Sequence, residues 1–179
     1  MAVDDFPTEA GLSWAVKRSF QDYVAASPEG SIVPSDEARI EGRSFFFPLD
    51  TIERDDDGSI RELRFRGGIT LSAHDGYLAV SIAAPVIYVE KNSAAIYIRS
   101  PGATVSAPSN YLVAEATPIG MHDNDGEWER IEISEPLLST NAVTLFDHVY
   151  PYRTPLEPVR ARTPSIDNST SGPFSRTNG

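Results

Sequence analysis

The chain has 179 residues, 40% of them hydrophobic, with 8 Phe, 7 Tyr and 2 Trp, which is enough for one domain with a substantial core. Its formal charge of −11 and pI near 4.6 disfavour binding to nucleic acid or to anionic membrane surfaces. The absence of cysteine excludes disulfides, thiolate zinc sites, cysteine nucleophiles and iron–sulfur clusters.

The opening "MAVDDFPTEAG" is acidic and has neither a basic n-region nor an apolar h-region. As written it predicts no secretory leader and a cytoplasmic product. Residues 1–9 read as an N-terminal extension and residues 10–160 as the folded domain. "LSWAVKRSFQDYVAA" (12–26) predicts one amphipathic helix. Its stripe is Leu12, Val16, Phe20 and Val24, and Ser19 and Tyr23 lie four apart along the stripe's edge. From the residues alone, Tyr23 is either a packing residue or a ligand. "SPEG" (27–30) ends the helix.

The period then changes to that of strands. "EARIEGRSFFFPL" and "TIERDDDGSIRELRFRGGITLSAH" hold strand-length runs, with "DDDG" (55–58) as a hairpin turn. "RELRFRG" alternates charged and apolar residues and should be half exposed. "YLAVSIAAPVIYVE" (77–90) and "AAIYIRS" (94–100) read as more fully buried strands joined by "KNS" (91–93). "NYLVAEATPI" and "EWERIEIS" are two further strands linked by the turn "HDNDG" (122–126). "STNAVTLFDHVY" (139–150) predicts a second short helix, N-capped by Ser139 or Thr140. Residues 161–179 are rich in Ser, Thr, Pro, Asn and Gly and read as a flexible tail. The expected architecture is mainly β: an antiparallel two-sheet, β-sandwich-like domain with a short helix near each end. No stretch reaches 18 apolar residues, so no membrane insertion is expected.

The chain has three histidines. His74 lies where a strand meets the turn "HDG", a position that faces a rim or a pocket mouth, although from the residues alone all three histidines read as solvated. His122, in a polar turn, and His148, on the second helix, look ordinary. No HxH or HExxH spacing is present, and the acidic turns "ERDDDG" and "HDNDG" lack the alternation and closing Glu of a calcium loop. GxSxG, P-loop and dinucleotide fingerprints are absent as well, so no enzyme is expected.

"LSWAVKRSFQDYV" resembles the opening of the HtaA (haem-transport-associated) domain of actinobacterial haem-uptake proteins, usually close to LxWGVKxSFxxYV. Trp14, Val16, Lys17, Ser19, Phe20, Tyr23 and Val24 match, and Ala15 stands where glycine is usual. "GSI" (30–32), "FFFPL" (45–49), "LRFRGGITLSAHDGYLAVSIAAPVIYV" (63–89) and "LLSTNAVTLFDHVYPYRTPLEPV" (137–159) extend the likeness in order over residues 10 to 160. The resemblance implies a β-rich fold that binds one ferric haem b, without catalysis, for haem acquisition, relay or buffering. It implies Tyr23 as the iron ligand, His74 as its hydrogen-bond partner, and Ser19 near the haem edge. Phe20 and the Phe45–Phe47 group, Phe46 among them, would form the pocket wall. Lys17, Arg18 and Arg99 are candidates to offset propionate charge. The implied partners are haem and other haem carriers, and members of the family are usually exported or at the cell surface. The chemistry agrees with such a site. A phenol is protonated at neutral pH, ferric iron stabilises the phenolate, and a histidine donor fixes the ring's direction. The alternative reading is a cofactor-free β-sandwich interaction or structural module.

Overall fold

The computed structural model describes residues 6–100 and 110–166. In chain order the elements are β1 (Gly11–Trp14), α1 (Arg18–Ala26), β2 (Ser31–Ser35), β3 (Arg39–Glu41), β4 (Ser44–Arg54), β5 (Ile60–Phe65), β6 (Gly68–Ala73) and β7 (Leu78–Ala83). There follow β8 (Val86–Glu90), β9 (Ser93–Arg99), β10 (Asn110–Ala116), β11 (Gly120–Asn124), β12 (Trp128–Ile133), β13 (Leu137–Leu138), α2 (Thr140–Leu145) and β14 (Val159–Pro164). Among the described residues the strands form two antiparallel sheets, as expected for the class. The larger runs β11-β12-β14-β1-β4-β5-β8-β9-β10-β13, with β3 on β4, and the smaller runs β2-β6-β7. No helix among the described residues is long and apolar enough to cross a membrane.

The long strand β4 bends the large sheet. Its first half pairs with β1 and β3 and its second half with β5, across an irregularity between Leu49 and Thr51. Alternation then sorts the side chains. Leu12 and Trp14 of β1, Phe45 and Phe47 of β4, and Ile69 and Leu71 of β6 turn inward and share one apolar cluster. Phe20 and Val24 of α1 close one end of that cluster.

Several expectations change. The helix expected over 12–26 starts only at Arg18, because residues 11–14 are a strand with a ladder on each side, to β4 and to β14. Leu12 and Trp14 point inward with period 2. The four-residue spacing of Leu12 and Val16 suits a helix and a strand equally well. Between the two elements Val16 is left-handed, at φ 63°. Its carbonyl accepts from Glu157 N at 2.9 Å, and Trp14 Nε1 donates to Glu157 O at 2.9 Å. Tertiary pairing overrides helical period here.

The apolar run 77–90 divides into β7 of the small sheet and β8 of the large one. The break is at left-handed Ala84 (φ 46°), before Pro85, and Ala84 N donates to Gly67 O at 2.8 Å. A strand the sequence hides, β11, takes up residues 120–124, so His122 lies on a strand rather than in a turn. Its Nε2 lies 2.7 Å from Oε1 of the buried Glu129, whose Oε2 accepts from Arg54 at 2.8 Å. The turn itself follows at Asp125, whose carboxyl accepts the Trp128 and Glu127 amides and is held below the usual carboxylate range by them. Finally, residues 161–164 lie in β14, paired to both β1 and β12, with Ala161 buried. The domain therefore extends past the expected boundary at 160. Residues 167–179 of the expected tail and 1–5 of the expected extension lie outside the described residues, and Phe6 is already buried.

The second helix is shorter than expected and ends at Leu145, which leaves His148 exposed in a left-handed turn (φ 60°). Its cap is Ser139. The hydroxyl accepts from Ala142 N at 3.1 Å and donates to Leu112 O at 2.7 Å, so it joins the helix start to β10. Ser139→Ala removes both bonds at a buried position. It should cost about 1–2 kcal/mol, seen as a lower urea midpoint at unchanged m-value.

Candidate functional site

The site is assembled around α1. Lys17 precedes the helix in extended conformation, and its carbonyl accepts from Phe20 N and Gln21 N, each at 3.1 Å. Gln21 is buried and donates through Nε2 to Ala15 O at 2.7 Å and Arg43 O at 2.9 Å. These bonds fix the roll of the helix. Phe20 and Val24 face the core, which leaves Ser19 and Tyr23, one turn apart, along the rim. Tyr23 is 47% exposed.

At the helix end Ser27 Oγ donates to Tyr23 O at 2.6 Å, and Gly30 N donates to Ser27 O at 3.1 Å. The chain then enters β2, whose first residue, Ser31, is paired with Ser72 near the end of β6. His74 follows β6 directly, and its N–H donates to Pro28 O at 3.0 Å. The segment leaving the helix and the segment leaving β6 are thus tied together. The turn that carries His74 is tight and left-handed at three successive residues: His74 (φ 53°), Asp75 (φ 56°) and Gly76 (φ 84°). Each non-glycine residue so held costs about 1–2 kcal/mol. Such strain concentrates where a side chain must be aimed. Here it aims the imidazole at the helix: His74 Nε2 lies 3.0 Å from the Tyr23 hydroxyl.

A second polar pair lies one helical turn back. Ser19 Oγ is 2.8 Å from the Tyr150 hydroxyl. Further along the same loop, the 155–157 stretch bonds Trp14, Val16 and Lys17. Between the two polar pairs runs an aromatic cluster. Phe20 stacks on Tyr23 (centroids 6.4 Å apart, 27°) and meets Phe146 edge-on at 5.3 Å and Tyr150 at 6.4 Å. Lys17 Nζ lies 5.6 Å from the Tyr150 ring centroid.

Of the residues singled out by sequence, Tyr23, His74, Ser19 and Phe20 are brought together. Phe46 is not. In a strand the middle of three residues faces away from its neighbours. Phe45 and Phe47 enter the core, while Phe46 is buried on the opposite face, with the Arg39 guanidinium 4.2 Å from its ring centroid. Arg99 is also elsewhere. It lines a cleft with Arg64, Arg66 and Ala83, at the end of β6 opposite His74. Arg18 is next to the site but paired with Glu157. Tyr150 is the residue the sequence reading missed as an individual, and its only signal was a tyrosine-containing closing loop.

A phenol with an imidazole at hydrogen-bond distance is a hard oxygen donor whose proton can be shared or replaced by a metal. Among the described residues no group of three His, Cys, Asp or Glu could hold a bare metal ion. An ion bound at Tyr23 must therefore bring most of its own ligands.

Comparison with known proteins gives the fold a context. A family model described as Htaa matches residues 9–162. The C-terminal domain of HtaA from Corynebacterium glutamicum is similar in structure, with a TM-score of 0.72 at 22% identity, over 86% of this chain and 95% of that one. The N-terminal domain of the same protein gives 0.65 at 18% identity, over 89% and 99%. The haem-binding protein HtaB from C. glutamicum gives 0.59 at 17% identity, over 85% and 90%. No curated protein matches the sequence.

Proposed function

Because the chain belongs to the HtaA family, we propose that it binds ferric haem through the Tyr23 phenolate, with His74 as its hydrogen-bond partner, and serves haem acquisition, relay or buffering without turnover. The observation that carries this reading is the exposed Tyr23 hydroxyl 3.0 Å from His74 Nε2. Haem suits a single-tyrosine site, since the porphyrin supplies four of the iron's ligands. Tyrosine is a known haem ligand, and a hard phenolate oxygen matches the ferric state. HtaB, a structural relative, is a haem-binding protein. Phe20, Tyr23 and Tyr150 offer aromatic surface beside the phenol, and the Ser19–Tyr150 hydroxyls offer donors for carboxylates at the porphyrin edge. Reducing the iron, or protonating the Tyr23–His74 pair, weakens the ligand and favours release.

Titration of the apo-protein with haemin tests the proposal. A saturable one-to-one Soret band with tyrosinate charge-transfer features is the expected result, and a merely linear, non-saturating response overturns it. The rim hydroxyls have a smaller, separable effect. Ser19→Ala combined with Tyr150→Phe should weaken haemin binding by about thirtyfold, at about 1 kcal/mol for each of the two hydrogen bonds lost, while the iron spectrum stays the same.

A further inference from the structure

The geometry points to Lys17 as the residue that makes this site prefer porphyrins with free carboxylates over their neutral esters, an inference that rests on the haem reading above. Lys17 is half-buried, and its ammonium donates to the neutral Pro155 carbonyl at 2.9 Å. It stands 5.6 Å from the centroid of the Tyr150 ring, whose hydroxyl is shared with Ser19. Among the described residues this ammonium has no carboxylate partner, in a chain of net charge −11. The neighbouring cations are committed: Arg18 to Glu157 and, at 2.6 Å, Arg43 to Asp22. A cation and two hydroxyls therefore gather at the first turn of α1, one helical turn from the phenol proposed to hold iron. An anionic oxygen received by the hydroxyls gains the field of the ammonium. A methyl ester in the same place gains nothing from it.

The experiment compares haemin with haemin dimethyl ester on the wild type, Lys17→Met and Lys17→Arg, each first shown to melt as the wild type does or to keep its circular dichroism. In the wild type the preference for haemin should shrink as salt is raised. Lys17→Met should lower that preference by about threefold to fivefold, the size of a solvent-exposed ion pair, by weakening haemin and leaving the ester unchanged. Lys17→Arg should restore it. Equal weakening of both ligands would show Lys17 to be only a tether for the Pro155 segment and overturns the assignment, as does an unchanged preference. If the wild type binds no haemin, the haem reading itself falls and this inference falls with it. Binding without a Lys17-dependent preference removes only the inference.

Discussion

Tyr23→Ala should abolish one-to-one haemin binding while leaving the fold intact. The side chain is 47% exposed and stacks only loosely on Phe20, at 6.4 Å between centroids, so its truncation opens no cavity in the core. A surface change of this kind stays within about 0.5 kcal/mol of wild-type stability. Loss of binding is then loss of the ligand and not of the protein. His74 should act more gently. Removing a hydrogen-bond partner of a metal ligand typically costs about tenfold to a hundredfold in affinity, and the iron keeps its tyrosinate signature. His74→Asn is the better test than alanine, because position 74 is left-handed at φ 53° and Asn accepts that conformation readily. Absorption titration of the wild type and both variants reads all three outcomes. Wild-type affinity in Tyr23→Ala would remove the tyrosine from the iron site. An equal and complete loss in both variants would mean that His74 is a ligand in its own right.

Much of the sheet was legible because alternation and turn chemistry are local. "RELRFRG" reads as a strand and becomes β5, although it is more buried than expected, with Glu62 covered on its charged face, and "KNS" joins β8 to β9 much as expected. The turn "HDG" was also legible as the end of a hairpin, since β6 and β7 pair throughout and meet there. What alternation cannot state is which face of a strand meets the core. For that reason the three phenylalanines 45–47 could be grouped but not divided, and Phe46 went to the wrong side. Nor can a wholly apolar run say where it changes sheets. The break at Ala84 within 77–90 depends on a left-handed residue that no propensity favours.

The site divides along the same line. Ser19, Phe20 and Tyr23 share one helix, and four-residue spacing reveals them. Their partners are non-local. Tyr23 meets His74 from 51 residues away and Ser19 meets Tyr150 from 131 residues away. Residue pattern alone left both pairings open. The family likeness supplied His74 but not Tyr150 by number. The opening segment shows the cost of a single period: a helix over 12–26 explains the stripe, yet β1 is held by two neighbouring strands, and two ladders outweigh four residues of helical preference.

Gly30→Ala should damage both stability and binding, although residue 30 is not among the residues proposed to hold haem. A Cβ built at Gly30 would lie 1.7 Å from Val24 O and 3.2 Å from Ser27 O, both backbone atoms of the helix end. The backbone angle there is not left-handed, so the restriction is steric. Nothing at that point can rotate away, and the whole 27–31 segment must move outward. Overpacking of this kind costs about 1–3 kcal/mol, and a clash with main chain belongs at the upper end. The displacement has a second consequence. Pro28 O accepts the His74 amide, and Ser31 is registered to Ser72, so moving the segment moves the turn that aims His74. Haemin affinity should therefore fall toward that of His74→Asn. Gly42→Ala is the matched control. Gly42 is left-handed at φ 62° with open space around it, so alanine there should cost about 1–2 kcal/mol and leave haemin binding unchanged. Urea melts and haemin titrations of the two variants separate the effects. A Gly30→Ala protein as stable as the wild type would show that α1 and β2 can part freely. The placement of His74 would then owe nothing to their close approach.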